Sequence, residues 1–209
     1  MSVDFLIADD HELVRLGLVR ILTASHPEWR IVGEAATGLA AVELGISTRP
    51  QIAILDLLMP YLNGLEVAQR LMEAVPGIRI VILTMYAAKP IVRQLRKAGV
   101  SACLAKNEAP GTLVHMVERS LSGKPFCAST SARWLADDEA EDIPVQLLLT
   151  QRELDVLRLL AHGKSNKELA AELDMGVRTA ESHHANLLAK LRLDSLGELV
   201  RRAVRDGVV

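Results

Sequence analysis

Five side chains within the first 106 residues have the types and spacing to handle a phosphoryl group: Asp9, Asp10, Asp56, Thr84 and Lys106. Asp9-Asp10 follow Ile7-Ala8, and Asp56 ends the run Ile52-Ala53-Ile54-Leu55. A short apolar run of this kind reads as a strand buried on both faces, as in a parallel sheet. Its carboxyl end is where open parallel sheets place their ligands. Three carboxylates at two such ends make an oxygen-rich site for a hard divalent cation. A Mg²⁺ held by Asp9, Asp10 and Asp56 would neutralise phosphate oxygens. Asp56 would attack a phosphoryl donor to give an acyl phosphate. Lys106 would pair with a phosphoryl oxygen as a mobile point charge, and Thr84 would donate a hydrogen bond to the same group. Singly, each residue has a plainer reading: an aspartate capping a strand end, a strand-end hydroxyl, a surface lysine. Their joint occurrence at successive strand ends carries the chemical reading.

The elements that must position them follow from the hydrophobic pattern. Strands are expected at Val3–Ala8, Ile31–Ala35, Ile52–Asp56, Ile78–Thr84 and Cys103–Ala105. Helices are expected over His11–Ser25, Gly38–Ile46, Leu65–Ala74, Ile91–Ala98 and Gly111–Leu121, the first with Leu13, Leu16, Leu18 and Ile21 at helical spacing. Pro60 and Gly64 mark the loop after the Asp56 strand. Five alternations of strand and helix predict an α/β doubly wound five-stranded parallel sheet over residues 1–122.

The pattern changes after Ser122. Residues 123–148 read as a linker, with Gly, Pro, Ser and Thr, one short helical piece around Trp134, and the solvated acidic run Asp137-Asp138-Glu139-Ala140-Glu141-Asp142. From Leu149 no strand signal remains. Thr150 and Glu153 form a capping box before a helix closed by Gly163. Helices over Ser165–Leu173, Arg178–Leu191 and Leu196–Val204 follow, the first two joined by a tight turn at Met175-Gly176-Val177. A short helix, a glycine-containing turn and a longer helix predict a small all-α, four-helix helix-turn-helix unit over residues 149–209.

Composition narrows the classes. Half of the 209 residues are hydrophobic, and no run has the length of a membrane span. The start, Met1-Ser2-Val3-Asp4, lacks a signal peptide's basic region. Two cysteines, Cys103 and Cys127, support neither a disulfide framework nor a zinc cluster. A cytoplasmic location is expected. The net charge of −2 divides as 0 over residues 1–122, −3 over 123–149 and +1 over 150–209. Nucleic acid would therefore be bound through a few placed side chains rather than bulk charge.

Residues 1–122 resemble the receiver domain of bacterial two-component response regulators, which is flavodoxin-like. The matched positions are Asp9-Asp10, Asp56 with Met59-Pro60 and Gly64, Thr84 with Tyr86 two places on, and Lys106. The resemblance implies phosphorylation of Asp56 by a histidine kinase. It implies Mg²⁺ at Asp9, Asp10, Asp56 and the backbone carbonyl of Leu58. It also implies a switch pair, with Thr84 moving to the phosphoryl group and Tyr86 swinging in behind it. Asn107 stands where many receivers have a proline, and Ala87-Ala88-Lys89-Pro90 is less acidic than usual.

Residues 149–209 resemble the LuxR-type DNA-binding domain, from Leu149-Thr150-Gln151-Arg152-Glu153 through Lys164-Ser165-Asn166-Lys167-Glu168-Leu169-Ala170 to Lys190-Leu191. Together the halves are similar to the NarL/FixJ class. That resemblance implies a DNA-binding transcription regulator, not an enzyme, that dimerises on phosphorylation or on double-stranded promoter DNA. The helix from Arg178 would enter the major groove. Glu181, Ser182 and Ala185 would face bases, while Lys164, Ser165, Asn166, Lys167, Arg178, Thr179 and His184 would contact or position phosphates. Glu181 and Gly176 depart from the commoner lysine and serine; a glutamate accepts from a cytosine amino group, and a glycine cap costs little. His183 reads equally as a packed interface histidine. The stripe Leu196, Leu199, Val200 and Val204 would pair two output domains or close the domain core.

An aspartate-nucleophile phosphatase or transferase would use a similar sheet. It needs a second acid just after the nucleophile, where this chain has Leu58. A constitutive DNA-binding protein with a vestigial receiver would not need all five residues. Redox sensing would rest on Cys103 and Cys127 alone.

Overall fold

The computed structural model describes residues 2–85, 89–124, 126–128 and 144–209. The chain folds as two compact units, Met1–Glu141 and Asp142–Val209.

The first unit alternates β1 (Asp4–Ala8), α1 (Glu12–Ser25), β2 (Arg30–Ala35), α2 (Gly38–Thr48), β3 (Ile52–Asp56), α3 (Gly64–Ala74), β4 (Arg79–Thr84), α4 (Lys89–Lys97), β5 (Ala102–Ala105) and α5 (Pro110–Leu121). The sheet is parallel throughout, ordered β2-β1-β3-β4-β5, with β6 (Cys127–Ala128) at the β5 edge. The winding reverses between β1 and β3, and that switch point opens a crevice at the carboxyl ends of the strands. Every residue of β3 is buried, which explains its unbroken apolar run. Alternate strand residues serve opposite faces. Phe5, Ile7, Ile52, Ile54, Val81, Leu83 and Leu104 pack with Leu18 and Leu22 of α1 and Leu113, Met116 and Val117 of α5. Their strand neighbours face the other way, where α2 and α3 pack on each other and on the sheet.

Two features differ from expectation. The sheet has a sixth strand, because Cys127–Ala128 in the expected linker pairs with Ala102 and Cys103. The helical stripe on α1 is shifted: Leu13 and Leu16 are 84% and 55% exposed. The face against the sheet is Leu18 and Leu22, with Val14 and Ile21 packed beside them. Cys103 is buried, and burial pushes its thiol up to about 12; such a thiol stays protonated and unreactive.

The second unit holds α6 (Val145–Leu148), α7 (Gln151–Ala161), α8 (Asn166–Glu172), α9 (Val177–Leu191) and α10 (Leu196–Arg205). Its core joins Leu154, Leu157 and Leu160 of α7 to Leu169, Ala180, Leu187, Leu199 and Ala203. α6 lies within the expected linker, yet Val145 is fully buried in this core. The Val145 N–H donates to Asp206 Oδ2 at 3.0 Å, and the Gln146 amide donates to the Asp206 carbonyl. Thr150 and Glu153 make the expected capping box. The α10 stripe splits. Leu199 is buried and Val200 half-buried, while Leu196 and Val204 are exposed. Among the described residues no helix is long and apolar enough to cross a membrane. The expected helical piece near Trp134 and the acidic run of residues 137–142 lie outside the described residues.

Candidate functional site

Four strands deliver the chemical residues to one edge. Asp9 directly follows β1, Asp56 ends β3, Thr84 ends β4 and Lys106 directly follows β5. The register pairs Ala8 with Leu55, Asp56 with Leu83 and Thr84 with Ala105, so neighbouring strand ends are level to within a residue and Lys106 lies two residues past the level of Asp56. Asp9, Asp56 and Thr84 are buried, Asp56 to 4% exposure. The Lys106 ammonium lies 2.7 Å from Asp9 Oδ2 and 2.8 Å from Asp56 Oδ2. Its backbone N–H donates to the Thr84 carbonyl at 2.9 Å, which fixes where the side chain starts.

Burial dominates the electrostatics. It pushes the Asp56 carboxyl up to about 6; the Lys106 ammonium and the Leu58 N–H pull it down, and Asp9 raises it. Burial also acts to lower the Lys106 pKa, but the two carboxylates overcome it and hold the ammonium above its usual range. One ammonium thus faces two buried carboxylates, with Asp10 exposed beside them. The carboxylates outnumber the ammonium between them, and their donors are hard oxygens. One donor atom each from Asp9, Asp10, His11 and Asp56 lies within 4.8 Å of the others. That donor set fits a divalent cation.

Residues around the two carboxylates hold this arrangement in place. Gly64 starts α3, and a Cβ there would lie 2.2 Å from the Asp56 carbonyl oxygen. A Cβ on Gly38 would lie 2.2 Å from the Leu62 carbonyl oxygen. Asn63 and Glu66 form a capping box that starts α3 directly after the Asp56 loop. Arg15 reaches back from α1, and its guanidinium donates to the Asp9 carbonyl at 2.8 Å. The His11 N–H donates to Asp9 Oδ1 at 2.9 Å, and its ring nitrogen Nδ1 lies 2.7 Å from Asp10 Oδ1. Sequence reading passed over His11, Arg15 and Gly38; only the adjacency of His11 to the aspartate pair could have flagged it. Leu58 is half-buried. Tyr86, the expected partner of Thr84, lies outside the described residues.

In the second unit α8, the turn at 173–176 and α9 make the helix-turn-helix. Gly176 is the N-cap of α9 without a side-chain cap. Ala180 and Leu187 are buried, whereas Arg178, Thr179, Glu181, Ser182 and Ala185 are exposed. The spacing of 178, 181, 182 and 185 puts these four on one helical face. The Ser182 hydroxyl is spent on the Arg178 carbonyl at 2.9 Å. Ser165 caps α8 in a box with Glu168, Lys164 pairs with Glu172 at 2.7 Å, and Lys167 is exposed. Asn166, His183 and His184 are half-buried. The Asn166 side-chain oxygen and His184 Nε2 are buried without a hydrogen-bond partner.

Comparison with known proteins converges on the same division. Residues 5–118 match the response regulator receiver domain, and residues 147–203 match the bacterial regulatory proteins of the luxR family. The chain is 36% identical over 192 residues to the uncharacterized transcriptional regulatory protein YhcZ of Bacillus subtilis, covering 90% of this chain and 88% of that one. It is 34% identical over 190 residues to the nitrate/nitrite response regulator protein homolog of Haemophilus influenzae, covering 91% and 90%. RcsB from Salmonella enterica serovar Typhimurium, solved with promoter rprA and the phosphomimetic BeF3−, shares its fold at a TM-score of 0.64 and 22% identity, over 97% and 98% of the chains. The chain belongs to the response regulators, with a receiver followed by a luxR-family DNA-binding unit, and it regulates transcription.

Proposed function

We propose that Asp56 is the phosphoacceptor of this regulator and that phosphorylation there controls dimerisation and promoter binding. The observation that carries the reading is Lys106 bridging Asp9 and Asp56 at 2.7 and 2.8 Å on the buried strand edge. One Asp56 carboxylate oxygen attacks the phosphorus of a kinase phosphohistidine. The P–O bond of an acyl phosphate forms, the P–N bond breaks, and the histidine leaves with its electron pair. Asp9, Asp10, Asp56 and the Leu58 carbonyl would hold Mg²⁺, which supplies neutralisation of the phosphoryl oxygens. Lys106 orients the carboxylate before transfer and then pairs with the phosphoryl group. Thr84, one residue past the level of Asp56 on the next strand, donates its hydroxyl to that group, and Tyr86 completes the switch.

The reading makes the chain a cytoplasmic regulator rather than a turnover enzyme. No acid follows the nucleophile at the position a phosphatase would use, since Leu58 stands there. In the output unit, residues 149–209, the α9 face of Glu181, Ser182 and Ala185 meets base edges in the major groove. Arg178, Thr179, Lys164, Ser165, Asn166, Lys167 and His184 contact or position the backbone. With a net charge of only +1 in this region, one copy neutralises few phosphates and binds weakly. A homodimer on a two-fold site supplies the missing affinity.

The test is intact mass after incubation with Mg²⁺ and a small phosphoryl donor, wild type beside Asp56→Asn, with promoter affinity measured on the same samples. One phosphoryl adduct, absent from the variant and accompanied by dimerisation and tighter DNA binding, is expected. An adduct that persists in Asp56→Asn, or one that leaves DNA affinity unchanged, would overturn the proposal.

A further inference from the structure

His11 is the one residue of the cation cluster to which the receiver chemistry assigns no part. It occupies the N-cap position of α1, with extended backbone at φ −89° and ψ 111°, yet its side chain makes no capping hydrogen bond. The ring turns instead toward the carboxylates. Nδ1 lies 2.7 Å from Asp10 Oδ1 and 3.3 Å from Asp9 Oδ1. The backbone is fixed at the same place, because the His11 N–H donates to Asp9 Oδ1 at 2.9 Å. The side chain is 68% exposed, and Nδ1 is the ring nitrogen turned to the carboxylates, so a cation bound there would take the place of the proton shared between Nδ1 and Asp10.

The distances suit a shared ion. Ligands at about 2.1 Å from one centre are about 3 Å apart when adjacent and about 4.2 Å apart when opposite. The donor atoms of Asp9, Asp10, His11 and Asp56 lie within 4.8 Å of one another, so sub-ångström adjustments bring all four onto one cation. A carboxylate-only cluster is suited to Mg²⁺. An imidazole nitrogen adds affinity for borderline ions such as Mn²⁺ or Co²⁺ and little for Mg²⁺.

We propose that His11 Nδ1 is a direct ligand of the cation site, so that this site takes Mn²⁺ and its transition-metal neighbours as well as Mg²⁺. The inference rests on the reading that Asp9, Asp10 and Asp56 hold a divalent cation. The competing role is a hydrogen bond from the ring to Asp10, which would position that carboxylate without touching the ion.

The experiment uses the full chain, wild type beside His11→Ala and Asp10→Asn, with Mn²⁺ as probe. Free Mn²⁺ is counted by electron paramagnetic resonance, Mg²⁺ affinity is read by competition, and electron spin-echo modulation reports any nitrogen bound to the Mn²⁺. Circular-dichroism melts check that each variant is folded. Wild type should show directly coupled ¹⁴N. His11→Ala should lose that coupling and bind Mn²⁺ about tenfold or more weakly, the scale on which even outer partners of a metal act. Its Mg²⁺ affinity should stay within about twofold. Asp10→Asn should weaken both ions, which locates the Mn²⁺. One bound Mn²⁺ without nitrogen coupling, or with unchanged affinity in His11→Ala, overturns the ligand role alone. Failure of wild type to bind either ion overturns the carboxylate reading and this inference with it.

Discussion

Replacing Asp56 by asparagine should stabilise the receiver at neutral pH, and the size of the gain follows from its burial. The carboxyl ordinarily titrates near 3.8 and in the fold near about 6, chiefly because burial disfavours its charge. A raised carboxyl pKa means that the folded state holds more protons than the unfolded one between these values. Stability therefore falls as pH rises from about 4 to about 6, and above that the full cost of a buried charge remains. The gap of about two pH units, at about 1.36 kcal/mol each, puts that cost at about 3 kcal/mol at pH 7. Such a figure is large beside a domain stability of about 5–15 kcal/mol. Asparagine keeps the shape of the protonated acid and cannot ionise. Urea unfolding in EDTA should show Asp56→Asn more stable by about 2–3 kcal/mol at pH 7 and nearly equal to wild type at pH 4. Trp29, packed on Phe5 at 4.9 Å between centroids, gives a fluorescence signal from the receiver core. Adding Mg²⁺ should narrow the gap, because a cation that binds only the charged site stabilises wild type by mass action. An Asp56→Asn protein no more stable than wild type at pH 7, or equally stabilised at pH 4, would refute the argument that this carboxylate is held at a cost.

Gly64→Ala should lose about 2–3 kcal/mol or more by urea unfolding, since its Cβ would press within 2.2 Å of the Asp56 carbonyl oxygen. It should also slow labelling of Asp56 in the intact-mass assay, because displacing that backbone oxygen moves the proposed acceptor residue. Glu153→Ala should cost the output unit about 1–2 kcal/mol at pH 7, through loss of the α7 capping box and of the pair to Lys190 at 2.7 Å. Burial acts to raise the Glu153 pKa, but Lys190 and Thr150 together lower it. That stability is therefore present above about pH 4.5, and the difference should close as the carboxylate protonates below it. Glu181→Gln should move the base preference at one half-site position from cytosine toward adenine. The salt slope should hardly change, because no phosphate contact is lost; selection of binding sites from random DNA reads the first and salt titration the second.

What the sequence revealed and what it hid divide along a physical line. The fully buried run Ile52–Asp56 announced its strand because both of its faces meet apolar neighbours. The same burial placed Asp56 at an edge where Asp9, Thr84 and Lys106 had to gather. Register needed no measurement, since parallel strands of similar length end together. The Thr150–Glu153 box was readable because it closes over three residues. The segments without a local signal take their stability from partners far along the chain. Val145 carries no local signal, because it packs in the core of the second unit and its N–H is held by Asp206, 61 positions away. Cys127–Ala128 pairs with β5 across α5, and two residues carry no periodicity of their own. On α1, four leucines and isoleucines allowed more than one face, and only packing against α5 and the sheet selects Leu18 and Leu22 over Leu13 and Leu16.

The strand edge at Asp56 concentrates what the rest of the receiver avoids. Elsewhere the sheet buries apolar side chains at no electrostatic cost. Here it buries Asp9 and Asp56 with a single ammonium between them. The glycine contact at Gly64, the Arg15 hydrogen bond and the Asn63–Glu66 box all tie backbone around these two carboxylates rather than around the core. A site held under charge imbalance by a rigid frame responds strongly to a new charge. On the proposed function, a phosphoryl group on Asp56 would replace one carboxylate by an acyl phosphate of greater negative charge, and Lys106, 2.8 Å from that carboxylate, would be placed to follow it. Burial of the Asp56 charge, which costs about 3 kcal/mol in the resting fold, is of the size required to bias a two-state receiver. Sharing that energy with the output unit needs only a ligand or partner that distinguishes the two states.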